Sequence, residues 1–395
     1  MVTQLLVLII FMFIFSAVVQ DRMAVTLMYV FLGMFVFSRW WLNRAIDLLS
    51  FSREYQKNAF PGEVVPVSLE IKNHSLLPVV WLRVQDNLSL EISDESSFRQ
   101  VATIGSKESV NLVYELRAKH RGFYQVGPVK ISTGDLLGIF PEETRQGKAE
   151  YFCVFPRILS FASMQLNSRS PLGTLKAIEP IFEDPNRPIG KRNYIPGDSL
   201  RRVDWKSSAA VGRTQVKIFE PSVDLQVALF LNLSSSEYAL KQRLEAAELA
   251  IETTASIAFW AVQNRQSVGL WTNGIDTSRA DAGGHKSIPP KKGRSHLIKI
   301  LEVLARVKLN EGEAFSDFLH HHLHELSWGT SIMLLTGEIK EDVLAALAHA
   351  QRKGLNSTII LFGPQPQLQT IQAQVRRLGF KLIHVERESD LDVWR

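Results

Sequence analysis

At 395 residues, 46% of them hydrophobic and 22% charged, the chain is too long for one ordinary core and has material for two soluble domains besides any membrane part. Its net charge of +5 is spread over 45 basic and 40 acidic side chains, which excludes the concentrated basic footprint of a nucleic-acid binder, so no nucleic-acid partner is expected. The single cysteine, Cys153, lies in the apolar run Phe152-Cys153-Val154; it excludes an intrachain disulfide and reads as a small buried side chain.

Residues 3–20 and 23–38 are uncharged, mainly apolar runs, with Gln20-Asp21-Arg22 between them. Each is near the lower limit of the roughly 17–25 residues that cross a bilayer as a helix, and Trp40-Trp41 stands where an interfacial aromatic belt falls. The expectation is a transmembrane helical hairpin over 1–42 that meets lipid through both runs. A signal peptide is the competing reading, but no Lys or Arg precedes the first run and no small-residue cleavage site follows it. Arg39, Arg44, Arg53 and Lys57 follow the second run, whereas the loop between the runs balances one Arg with one Asp. Positive-inside bias then puts both termini and the soluble domains in the cytoplasm, in a multi-pass protein of the inner (plasma) membrane.

Residues 50–155 read as a β-rich domain behind a short amphipathic connector. The stretch 64–72 alternates apolar and polar residues toward its end and runs into the turn residues Asn73-His74-Ser75. Further strands are expected over 79–86, 98–104, 109–119, 122–131 and 149–155, which predicts a small antiparallel sandwich of the immunoglobulin or fibronectin kind. No constellation for chemistry occurs here, because His74 and His120 stand alone without further ligands.

Residues 156–224 read as a connector followed by a charged segment. The connector, 156–190, has no clear periodicity and contains Asp184-Pro185-Asn186-Arg187-Pro188; a connection of that length packs on a neighbour or takes part in function. Next, Arg192, Tyr194, Gly197, Asp198, Arg201, Arg202, Asp204, Trp205 and Lys206 crowd charge, aromatics and a Pro196-Gly197-Asp198 turn into one stretch. Arg–carboxylate forks to Asp198 and Asp204, and guanidinium stacking on Tyr194 and Trp205, are within reach. Two readings stay open: a self-satisfied ionic cluster bracing a β-hairpin, or a surface that binds a partner.

The pattern R-x-Y-x-x-G-D-x-x-R-x-V-x-W-K, followed by Ser207, Ser208, Ala209 and Ala210, resembles the signature of the bacterial domain of unknown function 58 (DUF58) family. Arg121-Gly122-Phe123-Tyr124 and Gly138-Ile139-Phe140 are similar to segments of the same family. The resemblance implies two N-terminal membrane helices, a β-rich region and a C-terminal region like a von Willebrand factor type A domain. It also implies a MoxR-type AAA+ ATPase as protein partner.

From residue 225 to 395 short apolar strands alternate with helices. Strands are expected over 225–233, 267–272, 331–336, 357–362 and 381–385, and helices over 237–264, 295–306, 313–325, 339–352 and 367–378. Runs such as Val227-Ala228-Leu229-Phe230-Leu231 suit strands covered on both faces, and the intervening helices supply right-handed crossovers. The whole is a membrane-anchored α+β multidomain chain, ending in an α/β, Rossmann-like domain.

After the first of these strands, Asn232-Leu233-Ser234-Ser235-Ser236 resembles the D-x-S-x-S metal-adhesion loop of von Willebrand factor type A domains, with Asn in the place of Asp. No formal anion remains within that loop, Gly337 stands where the fold often supplies Asp, and Gly312-Glu313-Ala314 offers no Thr. A hard divalent cation prefers charged oxygens. The expectation is therefore no cofactor, with Mg²⁺ at Asn232, Ser234 and Ser236 as the alternative to serine hydroxyls capping a helix start. Glu338 is the acid placed to reach inward. His320-His321-His322 with His324 puts only His320 and His324 on one helix face. The basic stretch Gly283-Gly284-His285 to Lys291-Lys292-Gly293-Arg294 reads as a mobile loop without the ending of a phosphate cradle.

These parts favour a membrane-tethered protein-interaction or assembly factor over an enzyme. The alternatives are a hydrolase using Asp198 and Asp204 as acid and base, against which nearby arginines argue by favouring ionisation of both, and a structural envelope component.

Overall fold

The computed structural model describes residues 2–19, 22–135, 140, 142–159, 183–195, 200–221, 226–276, 286–311 and 315–394. The chain divides into two units, Met1–Arg157 with Leu304–Arg306, and Ile158–Val303 with Val307–Arg395.

The first unit opens with helices α1 (Val2–Val19) and α2 (Arg22–Asp47). Helix α2 leaves Leu27, Val30, Val36, Phe37 and Trp40 exposed, but its last turns bury Leu42, Ala45 and Ile46. Ala45 joins a core cluster with Leu49, Leu69, Ile71, Val84 and Ile131, so the helix runs beyond the expected limit at 42 because its end is packed on the strands that follow. Among the described residues one helix, over Val25–Asp47, is long and apolar enough to cross a membrane.

Among the described residues nine strands follow: β1 (Leu49–Glu54), β2 (Asn58–Ala59), β3 (Val64–Asn73), β4 (Val79–Leu88), β5 (Ser97–Ile104), β6 (Ser109–Arg117), β7 (Gly122–Thr133), β8 (Glu143–Gln146) and β9 (Glu150–Val154). They form one sheet in the order β1-β3-β6 and another in the order β2-β9-β7-β4-β5, with β8 beside β7. Alternate residues Val65, Val67, Leu69 and Ile71 of β3 are buried and meet apolar residues of the other sheet, which is the sandwich that the alternation predicted. The connector over 49–54 is in fact strand β1, paired from Leu49↔Asn73 to Glu54↔Ser68. It carries Arg53 into the interior, where Nη2 donates to both Asp86 oxygens at 2.8 and 2.7 Å and the Tyr114 hydroxyl donates to the same carboxylate at 2.6 Å. Burial pushes the Asp86 carboxyl up, while the hydrogen bonds from Tyr114 and Arg53 pull it back.

The second unit starts with β10 (Glu183–Asn193), helix α3 (Trp205–Val211) and β11 (Gln215–Pro221), a two-stranded antiparallel pair that carries α3 between its strands. The expected connector thus already contains a strand from Glu183 onward; residues 160–182 lie outside the described ones. Then come β12 (Gln226–Leu231), α4 (Arg243–Gln263), β13 (Ser267–Thr272), β14 (Ile275–Asp276), β15 (Lys286–Lys291), α5 (Arg294–Arg306), β16 (Val307–Lys308), α6 (Phe315–Leu323), β17 (Ser331–Thr336), α7 (Glu341–Arg352), β18 (Asn356–Phe362), α8 (Leu368–Arg377) and β19 (Lys381–Val385).

The main sheet has the order β15-β13-β12-β17-β18-β19, parallel except for the antiparallel edge strand β15. By order of appearance this is 3-2-1-4-5-6, so the winding reverses beside β12. Val227 to Leu231 are all buried, as expected for a strand covered on both faces; Ala228 and Phe230 join a cluster with Phe315, Leu319 and Leu347 of α6 and α7. The basic stretch read as a loop is corrected over 286–291: it forms β15, where Pro289 and Pro290 are tolerated because an edge strand has one side without ladder donors to supply.

Candidate functional site

Two places bear the expected site residues: the carboxyl edge of the parallel sheet and the hairpin that holds α3. In sheets wound this way the crevice at the strand carboxyl ends, where the order reverses, is the usual ligand position. Here β12 leads into Asn232, β13 into Asn273, and β17 ends on Thr336. Asn232 is wholly buried. Its Oδ1 accepts from Ser234 N at 2.9 Å and from Asn273 Nδ2 at 3.2 Å, and its Nδ2 donates to Thr336 Oγ1 at 3.0 Å and to Glu237 Oε2. Asn273 Nδ2 also donates to Ser234 Oγ at 2.8 Å, and its Oδ1 accepts from Leu233 N at 2.7 Å.

Sequence reasoning missed the centre of this cluster. Glu237, one residue beyond the adhesion-like loop, turns inward and is buried to 4% exposure. Lys340, from the loop before α7, reaches its other oxygen with Nζ at 3.0 Å. An acid immediately after an otherwise neutral N-x-S-x-S run was the available signal, but its inward direction is set by the short helical turn Ser235–Glu237. Ser234 stands at the N-cap of that turn, yet its side chain makes no cap hydrogen bond and instead takes the Asn273 amide. Ser236 is exposed, and so is Glu338, whose carbonyl accepts from Thr336 Oγ1 at 2.8 Å. At Gly337 a Cβ would stand 2.4 Å from the Glu237 carbonyl oxygen and 2.6 Å from Tyr238 Cδ1, so this packing has no space for the Asp of a metal-adhesion site. The residues do not fit a divalent cation: the buried Glu237 carboxylate already holds an ammonium and an amide, the Asn232, Asn273, Ser234 and Thr336 oxygens are neutral and engaged, and Ser236 points to solvent as an exposed residue. Among the described residues no three His, Cys, Asp or Glu side chains gather as a metal set. The histidine run divides by helix face: His320, His321 and His324 are exposed, while His322 is buried and pairs with Glu325 at 3.1 Å.

The hairpin is built differently. Asp204 caps α3 by accepting from Ser207 N at 3.1 Å, and Gly212, at φ +70°, closes its other end with a bond to Ser208 O at 2.9 Å. Lys191 Nζ lies 2.9 Å from Asp204 Oδ2, Ser208 Oγ accepts from Gln215 N at 2.8 Å, and Val203 packs inward opposite Val216. Asp204 is therefore held by Lys191 where an arginine fork was expected. That hydrogen bond, then the Ser207 amide, lowers its carboxyl to about 2. Such an acid is ionised and engaged, which suits neither a proton donor nor a strong base at neutral pH. Gly197 and Asp198 lie outside the described residues, and of Arg201 only the backbone is described. Arg192 donates to Asn193 O at 3.2 Å. Tyr194 is half-buried, with its N–H bonded to Thr214 O at 2.9 Å.

What the brace leaves outward is apolar and basic. Helix α3 buries none of its seven residues. Trp205 is 69% exposed, with Leu200 and Val211 nearly as open, and Arg202 and Lys206 are exposed beside them. The two readings of this segment thus fall on different residues: Lys191, Asp204, Ser207 and Ser208 brace, while Trp205, Lys206 and Arg202 face outward.

A β-sandwich unit and a parallel α/β unit carrying this hairpin define the chain structurally. Residues 190–355, which span the hairpin and most of the parallel sheet, match the family described as "Protein of unknown function DUF58". The chain is also 24% identical over 331 residues to the uncharacterized protein YeaD of Bacillus subtilis (strain 168), covering 82% of this chain and 78% of that one. Among solved structures, proximal thread matrix protein 1 from the mussel byssus aligns with 44% of this chain and 46% of its own at 14% identity and a TM-score of 0.33. A von Willebrand factor type A protein from Catenulispora acidiphila aligns with 45% and 42% at 12% identity and a TM-score of 0.30.

Proposed function

We propose that this chain is a membrane-tethered protein-interaction or assembly factor that works with a MoxR-type AAA+ ATPase, the partner implied by the resemblance of its signature segment. The observation that carries the interaction reading is the braced helix α3, which buries no residue and holds Trp205 outward between basic side chains. Trp and Arg are the side chains most enriched among the few residues that dominate protein contacts.

The tether is α1 with α2, read as two spans that place the soluble units in the cytoplasm. Its support is the row of large apolar side chains left exposed along both helices and the basic residues after the second, of which Arg39, Arg44 and Lys57 face outward while Arg53 is committed to Asp86. The C-terminal sheet is a von Willebrand factor type A-like module by its 3-2-1-4-5-6 order with an antiparallel third strand, and it works without a metal ion. Calorimetric titration with Mg²⁺ or Mn²⁺ should give no heat of binding; tight binding abolished by Ser234→Ala contradicts this part.

The central test is capture of a purified MoxR-type ATPase by the full-length protein in vesicles, with and without ATP. Wild type is expected to retain the ATPase, and Trp205→Ala to lose it while remaining membrane-inserted. Equal capture by both rejects the hairpin as the contact.

A further inference from the structure

The chemistry of the partner's surface can be read from the hairpin. Residues 190–217 contain seven Lys or Arg against Asp198 and Asp204, a net +5 equal to the net +5 of the whole chain. Outside this segment the chain is charge-balanced, which corrects the expectation that the basic excess is spread along the chain. One of the two acids, Asp204, is consumed internally by Lys191 and the α3 cap. The segment therefore presents a concentrated positive field, and it surrounds large apolar side chains: Trp205 at 69% exposure, Leu200 at 66%, Val211 at 62% and Ile195 at 58%.

Basic residues among exposed apolar ones fit either an anionic lipid surface or an acidic protein surface. Geometry separates the two. A helix that lies in a membrane interface needs one continuous apolar face. In α3, Trp205 and Val211 are six residues apart, which at 100° per residue places them about 120° apart around the axis, and the arc between them is centred on Ser208, whose hydroxyl is engaged by Gln215 N. Lys206 stands on the other flank of Trp205, so neither arc of α3 that joins Trp205 to Val211 is a continuous apolar face to lay on lipid. A concave protein surface can contact a short helix from more than one side. The helix is also fixed before contact by its Asp204 and Gly212 caps and by the Ser208 bridge to Gln215. That leaves little ordering entropy to lose on docking.

We infer that the hairpin docks into an acidic protein surface with an apolar socket for Trp205, the carboxylates of that surface facing Arg202 and Lys206. This rests on the hairpin being the contact surface. Aromatic burial supplies the affinity, and the opposed charges set partner choice and association rate.

The test uses the full-length chain in its native membrane with photoreactive benzoylphenylalanine in place of the exposed Ala209, and with the same probe at exposed Leu378 as control. The expected adduct lies in one protein, in a peptide whose Asp and Glu outnumber its Lys and Arg. Its yield should fall at least about 30-fold with Trp205→Ala and about tenfold with R202E or K206E, the sizes of a hot-spot loss and of a reversed charge contact. Replacing acids of the crosslinked peptide by Lys should restore capture by the R202E protein. An adduct with lipid, a peptide without acidic excess, or yields unmoved by R202E and K206E overturns the inference yet leaves the hairpin as a contact surface. An adduct no stronger than that of the Leu378 control removes both. Arg202, Trp205 and Lys206 are all exposed, so these variants leave the core intact.

Discussion

The carboxyl edge of the sheet and the α3 hairpin are both dense in polar groups, but they use them in opposite ways. At the sheet edge, Asn232, Ser234, Asn273, Thr336 and Glu237 turn toward one another, and Lys340 supplies the balancing charge. In the hairpin one acid is satisfied internally and the cations around it face outward. A buried polar cluster is tolerable only when its members are satisfied, and satisfaction leaves nothing for a ligand. An exposed surface escapes that rule, because water solvates whatever is left unpaired. At the sheet edge the polar groups are thus engaged with one another, and the exposed apolar and basic side chains stand on the hairpin.

The largest effects should come from disturbing the closed region. Asn232→Asp puts a second carboxylate against buried Glu237 and removes the amide that donates to Glu237 and Thr336. An uncompensated buried charge costs roughly 3–5 kcal/mol, so urea unfolding of the full chain should show a lower midpoint. A stability equal to wild type means that the edge is open enough to solvate the new charge. Lys340→Met removes the counter-ion of Glu237 while keeping the aliphatic stem. Lys340 is 43% exposed at its side chain and water can approach from that side, so about 2–3 kcal/mol is expected in the same measurement. Gly337→Ala forces a Cβ into a contact of 2.4 Å with the Glu237 carbonyl. Overpacking of that kind costs about 1–3 kcal/mol. An unchanged unfolding midpoint shows that the Glu237 turn can move away.

How much of this was legible follows from where the information lies. The central strands were readable because both their faces are buried: Ser267–Thr272 and Ser331–Thr336 fall where local apolar runs put them. Strand β15 was hidden because Pro289 and Pro290 look like loop residues, and only the antiparallel pairing with β13 shows that an edge accepts them. Strand β1 was hidden because its buried residues include an arginine, and Arg53 is tolerable inside only through Asp86, 33 residues away. The closed edge was half legible. Asn232, Ser234 and Gly337 showed that the usual anions are missing, but the Glu237–Lys340 pair joins residues 103 positions apart and has no local signature. In the hairpin the residue types were visible, whereas the division between brace and outward face depends on the N-cap at Asp204, which a turn-rich sequence does not disclose.

The open region should be nearly silent in stability. Trp205→Ala removes a large side chain that contacts little of its own chain, and exposed substitutions of this kind fall within about 0.5 kcal/mol. The same variant should abolish partner capture. A stability loss of several kcal/mol, or a capture loss that only mirrors unfolding, reassigns Trp205 to the brace.

The smallest effect concerns the one acid that links the brace to the exposed helix. The Asp204 carboxyl is held at about 2 against an ordinary 3.8, first by Lys191 and then by the Ser207 amide. Because its folded pKa is depressed, its contribution is fully present above about 3.8 and is lost as pH falls through about 2, where both states carry the proton. Below that pH the α3 cap loses its charged acceptor and Lys191 loses its ion-pair partner, whereas the Ser234 amide is bonded to the neutral Asn232 Oδ1. Hydrogen exchange read residue by residue should therefore show protection of the Ser207 amide falling between pH 4 and pH 2, relative to the rate of an unstructured chain, with the Ser234 amide unchanged. Asp204→Asn keeps an oxygen for Ser207 but has no proton to gain, so it should remove the pH step and leave a weaker, constant protection. A step of the same size in the Asn variant assigns the acid sensitivity to another group and separates the cap from the charge of Asp204.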